Sequence, residues 1–292
     1  MTHTIKNIAV VFYGQSRTYA QCAESIKTFF STKNPELTID FFCTVNTENS
    51  YSYAPTTQLK IPNSNAKTVV EDIKNLYNPV HMSVFSHSGE GTLHYPIYTA
   101  ILHALGEKKK YEIKENKSYD ITITCRYDIK FTCAGKEKLD TVFDFLINTI
   151  NHYYNIERSP DNNINKYNLP FFNPNIFVLS FTNSSVPSNW FRPMDIFQNG
   201  IEDFVFIGTG CATDLLFSII ANLSFVDPNK LPRGIQSDFK PENDFSRELA
   251  CTHHDIARAL LLEKINVLSL RDFLANNGTY FNFELIRLES DN

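Results

Sequence analysis

Along this chain, short continuous apolar runs alternate with longer stretches in which apolar residues return every third or fourth place. The runs read as strands and the periodic stretches as helices. Ile8 to Tyr13, IAVVFY, is a buried first strand. Thr18 to Phe30 has helical spacing, with Ser16 as its N-cap. Leu37 to Val45 is a second strand, Ala66 to Tyr77 a helix, and Val80 to Phe85 a third strand. Thr92 to Lys110 is a helix with Pro96 near its start and Leu93, Ile97, Ile101, Leu102 and Leu105 as its apolar stripe. Ile121 to Arg126 is β-branched at nearly every position, which suits a buried strand near the middle of a sheet.

Beyond it, Lys136 to Tyr153 is an amphipathic helix with Leu139, Phe143, Leu146 and Ile150 inward, and Asn175 to Phe181 is a strand. Gln198 to Leu223 runs from a polar turn through Glu202 and Asp203 to a short apolar strand, then Gly208-Thr209-Gly210. A helix follows, opened by Thr213 and Asp214. Glu242 to Glu263 is the longest helix, Asn266 to Leu270 a last strand, and the tail to Asn292 an edge element. Polar stretches at 46–65, 86–91, 155–168 and 224–240 are loops. No internal repeat or sharp linker divides the chain, so a single domain is expected.

Composition narrows the class. The chain has 292 residues, 42% hydrophobic and 20% charged, as an ordinary soluble globular protein has. A net charge of −5 argues against general nucleic-acid binding. The 24 Phe and 14 Tyr build either a core or a sugar-stacking surface. Cys22, Cys43, Cys125, Cys133, Cys211 and Cys251 form no Cys-x-x-Cys pair, and four lie in apolar segments. Buried reduced thiols in a cytoplasmic protein are expected, not a disulfide frame or zinc site. The N-terminus shows no signal pattern, and no apolar run approaches the roughly 20 residues that span a bilayer.

Three places carry candidate chemistry. The strand Ile121–Arg126 ends on Arg126 with Asp128 two residues on, so in extended chain the two side chains project together and Tyr127 the other way. Ligands of open α/β sheets bind at the carboxyl ends of strands. A cation beside a carboxylate there suits a phosphorylated ligand; an ion pair that merely caps the core is equally open. The turn Gly14-Gln15-Ser16-Arg17 joins a strand to a helix N-terminus, a common cradle for phosphates, although it matches neither GxGxxG nor a Walker motif. Arg17 offers a guanidinium to a phosphate, while an ordinary βα turn explains the same residues. Glu202 and Asp203 beside a glycine-bounded strand suit substrate hydroxyls or general-base work, or simply cap a turn. On the helix 242–263, steps of about 100° put His253 near the middle of the arc of Leu249, Ile256, Ala257, Leu260 and Leu261, with His254 at its far edge. A core-facing histidine is more often structural than a ligand.

Four segments together resemble a family. They are IAVVFYGQSRTY; HYPIYTAILHALGEKKKYE with YDITITCRYDIKF; IEDFVFIGTGCATDLLF; and RELACTHHDIARALLLEKINV, spanning Ile8 to Val267. Their order resembles that of nucleotide-sugar glycosyltransferases of the GT-A fold, above all the WavE-type lipopolysaccharide and capsule enzymes of bacteria and their viral and phage relatives. The resemblance implies an α/β fold, GT-A-like and Rossmann-like, with a mixed, mostly parallel sheet flanked by helices. The nucleotide-binding half would be about 1–135 and the acceptor-side half about 136–292.

The resemblance also implies residue roles. Tyr13, Gly14, Gln15, Ser16 and Arg17 would lie at the nucleotide. Asp128 would match the last Asp of the family's Asp-x-Asp motif, which holds the donor's diphosphate through Mn2+ or Mg2+. Arg126 replaces the first Asp and would neutralise diphosphate charge itself. Glu202 and Asp203 would lie on the acceptor side as base, and His253, or His254, would complete the metal or diphosphate site. The function implied is transfer of a sugar from a nucleotide-diphosphate donor to a saccharide-type acceptor in glycan biosynthesis. The alternatives are a catalytically decayed binding protein of the same fold and another nucleotide-dependent α/β transferase.

Overall fold

The structure is a computed structural model and describes residues 4–14, 16, 18–46, 66–85, 95–133, 138–157, 175–178, 205–224, 260, 266–269 and 281–286. The expected loops 47–65, 86–91 and 225–240, nearly all of the helix 242–263, and the residues Gln15, Arg17, Glu202, Asp203, His253 and His254 lie outside the described residues.

In chain order the elements are β1 (Asn7–Tyr13), α1 (Tyr19–Phe29), β2 (Thr38–Asn46), α2 (Ala66–Tyr77), β3 (His81–Phe85), α3 (Tyr95–Glu115), β4 (Ile121–Arg126) and β5 (Ile129–Cys133). There follow α4 (Leu139–Glu157), β6 (Asn175–Val178), β7 (Val205–Thr209), α5 (Gly210–Ser224), β8 (Asn266–Ser269) and β9 (Phe281–Leu285). Seven strands form one sheet in the order β3-β2-β1-β4-β7-β6-β8. Every pairing is parallel except those of β7, which runs antiparallel to both β4 and β6. The fold is therefore α/β with a mixed, mostly parallel sheet flanked by helices, consistent with the GT-A-like, Rossmann-type expectation.

From Ile8 to Tyr13 β1 is apolar and buried, because both faces of the sheet are covered there. Ile8, Val10 and Phe12 pack with Ile26 and Phe29 of α1, Ile73 and Tyr77 of α2, and Phe143, Leu146 and Ile150 of α4. Ala9, Val11 and Tyr13 pack on the other side with Ala100, Ile101 and Leu105 of α3 and Leu216 and Ile220 of α5. β4 is divided in the same way: Ile121, Ile123 and Cys125 join the first cluster, while Thr122 and Thr124 alternate with them. The described aromatics are mainly core: Phe29 stacks on Phe131 at 4.3 Å and Phe12 on Tyr127 at 5.1 Å.

The amino edge of the sheet is closed by polar groups. Asp120 accepts from the amides of Lys6 and Asn7 at 2.8 and 2.9 Å. Tyr119 donates to Asp40 at 2.6 Å, and Lys117 pairs with the same carboxylate. Gly210 starts α5 directly against this edge; a Cβ there would lie 3.2 Å from the Tyr119 carbonyl oxygen, which favours glycine.

Besides shifts at helix ends, where α4 runs to Glu157 into the expected loop 155–168 and α5 opens at Gly210 ahead of Thr213, three elements differ from the sequence reading. α3 continues to Glu115 instead of stopping at Lys110. Its basic run stays helical because Lys108 pairs with Glu112 at 2.8 Å and Lys110 with Glu107 at 2.5 Å, one turn apart. Lys108 is itself buried, its ammonium 5.6 Å from the centre of the Tyr119 ring, and burial lowers its pKa. The second difference is β5, which the reading did not separate from the central strand: the chain turns at Tyr127–Asp128 and starts a new strand. The third is the C-terminal segment. β9 pairs antiparallel with β5 in a separate two-stranded sheet and does not extend the main one.

Two measurements test this packing. The hydroxyl of Thr124 is buried with no hydrogen-bond partner among the described residues. Thr124→Val should therefore hold stability or raise it by up to about 1 kcal/mol; a clear loss in urea unfolding would show that the hydroxyl is bonded. Burial, joined by the nearby Asp128 charge, pushes the Cys22 thiol up to about 11, and burial pushes Cys43 up to about 12, against 9.0 for a free thiol. Because the folded pKa values are raised, the thiols favour the folded state fully below about pH 9. That contribution declines as pH rises through 11 to 12. Urea midpoints should fall between pH 8 and pH 10, and both thiols should resist alkylation at pH 8 until the protein unfolds.

Candidate active site

The carboxyl edge of the sheet carries the charge that the interior excludes. β1 and β4 are neighbours in parallel, with Tyr13 opposite Arg126. Gly14 follows with φ +86°, a left-handed conformation that costs glycine little and other residues more. Space alone does not demand glycine, since a Cβ would lie 3.7 Å from Cγ of Arg126, an ordinary contact. Gly14 thus sits beside the arginine stem.

Arg126 and Asp128 meet as the sequence suggests, though through a turn and not an extended strand. The Arg126 Nε donates to Oδ1 of Asp128 at 2.9 Å and Nη2 donates to Oδ2 at 2.7 Å. This is a bidentate pair in which the Asp128 side chain is 0% exposed and that of Arg126 13%. Tyr127 between them is wholly buried against Phe12 and Tyr77. The negative charge of Asp128 is also felt by the Cys22 and Cys125 thiols, each raised first by burial and further by this carboxylate.

A chain of hydrogen bonds ties this corner to the C-terminal strand. Ile286 donates its backbone N–H to the Asp128 carbonyl at 2.8 Å. The Ile286 carbonyl accepts from the Thr18 hydroxyl at 3.0 Å. Thr18, not Ser16, is the residue that caps α1, and its side chain makes no capping bond because its hydroxyl is turned to Ile286. Thr18 and Ile286 were not singled out in the sequence. A threonine at a helix start reads as a cap, and nothing local shows that a strand 268 residues away replaces that role.

Further along, the carboxyl ends of β2 and β3 bring Asn46 beside Phe85. His103 of α3 stacks on Phe85 at 4.6 Å, and burial, the largest influence on it, lowers its pKa by disfavouring the charged ring.

The metal expectation can be weighed on donor chemistry. Among the described residues no group of three or more His, Cys, Asp or Glu is placed to hold a metal ion. Asp128 has both oxygens committed to a guanidinium, which repels a dication at the same atoms. The residues described here therefore do not fit a divalent metal. Tyr13, Gly14, Arg126 and Asp128 are brought together; Ser16 lies in the same turn, and the remaining expected site residues lie outside the described ones.

No family model matches the sequence, and no curated protein matches it. Among solved structures that match is a mannosyltransferase from Pyrobaculum calidifontis, in complex with GDP-mannose and Mn2+. It is 9% identical, with a TM-score of 0.34, over 75% of this chain and 47% of its own, so this chain spans about half of its length. A likeness of that degree assigns no residue and no activity to this chain. No helix among the described residues is long and apolar enough to cross a membrane.

Proposed function

We propose that the protein is a glycosyltransferase that moves a sugar from a nucleotide-diphosphate donor to a saccharide-type acceptor, within the WavE-type group or its viral and phage relatives. The observation that carries this reading is the bidentate Arg126–Asp128 pair beside Gly14, at the carboxyl ends of two adjacent parallel strands. That is where open α/β sheets take their ligands.

In this reading Tyr13, Gly14, Gln15, Ser16 and Arg17 line the nucleotide, and Arg126 faces the diphosphate. The acceptor hydroxyl oxygen attacks the anomeric carbon and forms the new glycosidic bond. The bond from that carbon to the diphosphate oxygen breaks, and its electron pair leaves with the diphosphate. The hydroxyl proton passes to a carboxylate, for which Asp203 or Glu202 is the candidate. The half about 1–135 serves the donor and the half about 136–292 the acceptor, in a cytoplasmic protein acting in glycan synthesis. A divalent Mn2+ or Mg2+ belongs to this reading only with ligands from outside the described residues, His253 among them.

A thermal-shift panel of nucleoside diphosphates and nucleotide sugars tests the donor site. One nucleotide series should raise the melting temperature, since a ligand at about 100 times its Kd adds roughly 2.7 kcal/mol. No stabilisation by any nucleotide would sink the reading. Given a donor, Asp203→Asn or Glu202→Gln should lower turnover about 100-fold or more while leaving nucleotide binding nearly intact. Full activity in both variants would remove these carboxylates from the chemistry.

A further inference from the structure

We infer that the anion site at the carboxyl edge works without a metal ion, Arg126 being its cation and Asp128 a positioning residue that holds the guanidinium. The inference rests on the reading of this edge as a nucleotide-diphosphate site. Three features of the corner lead to it.

The first is which member of the pair faces outward. Asp128 has no exposed side-chain surface and Arg126 keeps 13%, so a ligand arriving at this edge meets the guanidinium and not the carboxylate. A lone carboxylate at a strand end would repel a diphosphate unless a cation stood between them. Here the cation is already covalently part of the chain.

The second is the geometry of the clamp. The Nε–Nη2 edge of Arg126 is taken by the two oxygens of Asp128, which fixes the plane of the guanidinium. A planar fork held in one orientation recognises phosphate oxygens more selectively than a mobile point charge. The third is how the clamp is held. Asp128 receives the Ile286 amide at its carbonyl, and Ile286 is tied to Thr18 at the start of α1. Gly14, at the end of β1, adjoins the Arg126 stem. The arginine is thus preorganised by elements from both ends of the chain, and the cost of ordering it is met on folding, not on binding.

The test is calorimetric titration of UDP, GDP, CDP and ADP into the full chain, once after exhaustive EDTA treatment and once with Mn2+ present. At least one diphosphate should bind with an affinity that differs by no more than about threefold between the two buffers, well under the 1.4 kcal/mol of a tenfold change. Arg126→Lys, which keeps a charge to pair with Asp128, should weaken binding about tenfold or more in both buffers, because an ammonium makes no bidentate fork. Asp128→Asn should also weaken it, without creating any dependence on Mn2+. Binding seen only with Mn2+ and lost on chelation would overturn the inference while leaving the nucleotide site standing. So would unchanged affinity in Arg126→Lys. If no diphosphate binds in either buffer, the nucleotide-site reading itself falls, and the inference with it. The EDTA and Mn2+ comparison on the unmodified protein needs no variant, so poor folding of either substitution leaves the test intact.

Discussion

A strand pair covered on both faces has nowhere to put charge except at its ends, and β1 with β4 is such a pair. Helices α1, α2 and α4 seal one side and α3 and α5 the other, so Ile8 to Tyr13 and Ile121 to Cys125 carry no ionisable group other than buried Cys125 and Tyr13. Charge returns where the covering helices give way. At the amino edge it is absorbed by Asp40, Lys117 and Asp120, whose bonds close the sheet. At the carboxyl edge it takes the form of Arg126 and Asp128, one of them partly open to solvent. The same constraint therefore builds the core and chooses the place of the site.

The pair itself is poor evidence for stability. Removing two charges from water costs several kcal/mol, about what their mutual attraction returns. A well-packed apolar pair would serve the core as well. What the ion pair supplies in exchange is direction: a guanidinium fixed in plane beside Gly14, with its carboxylate out of reach behind it. Removal of either partner strands the other, which ties the local fold of this corner to its electrostatics.

The corner also depends on distant chain. β9 pairs with β5, and the residue that follows it reaches both the Asp128 carbonyl and the Thr18 hydroxyl. The two-stranded sheet lies beside α1, where Phe29 stacks on Phe131. Apolar packing brings the strand in, and two hydrogen bonds then set its end against the site. The carboxyl edge of β4 and the C-terminal segment are in this way tied directly to each other.

Periodicity and burial are local properties, and the sequence by itself determined what depends on them. The bounds of Ile121–Arg126 and Ala66–Tyr77 are read correctly because an unbroken β-branched run and a regular apolar stripe have one good solution each. The nearness of Arg126 and Asp128 follows likewise from their spacing of two, although a turn and not an extended strand brings them together. Tertiary structure decided the rest. Where α3 runs on past Lys110, the Lys108 ammonium is buried near the Tyr119 ring, a contact from outside the helix that its own spacing does not show. β5 is a strand because β9 pairs with it, and the Thr18 hydroxyl turns from its helix because the Ile286 carbonyl is there to accept its hydrogen bond. Arg126 and Asp128 are adjacent in any reading of the chain, but which one is sealed and which one faces solvent depends on segments from the far end of the chain. Spacing records neighbours along the backbone; exposure is set by whatever else folds over them.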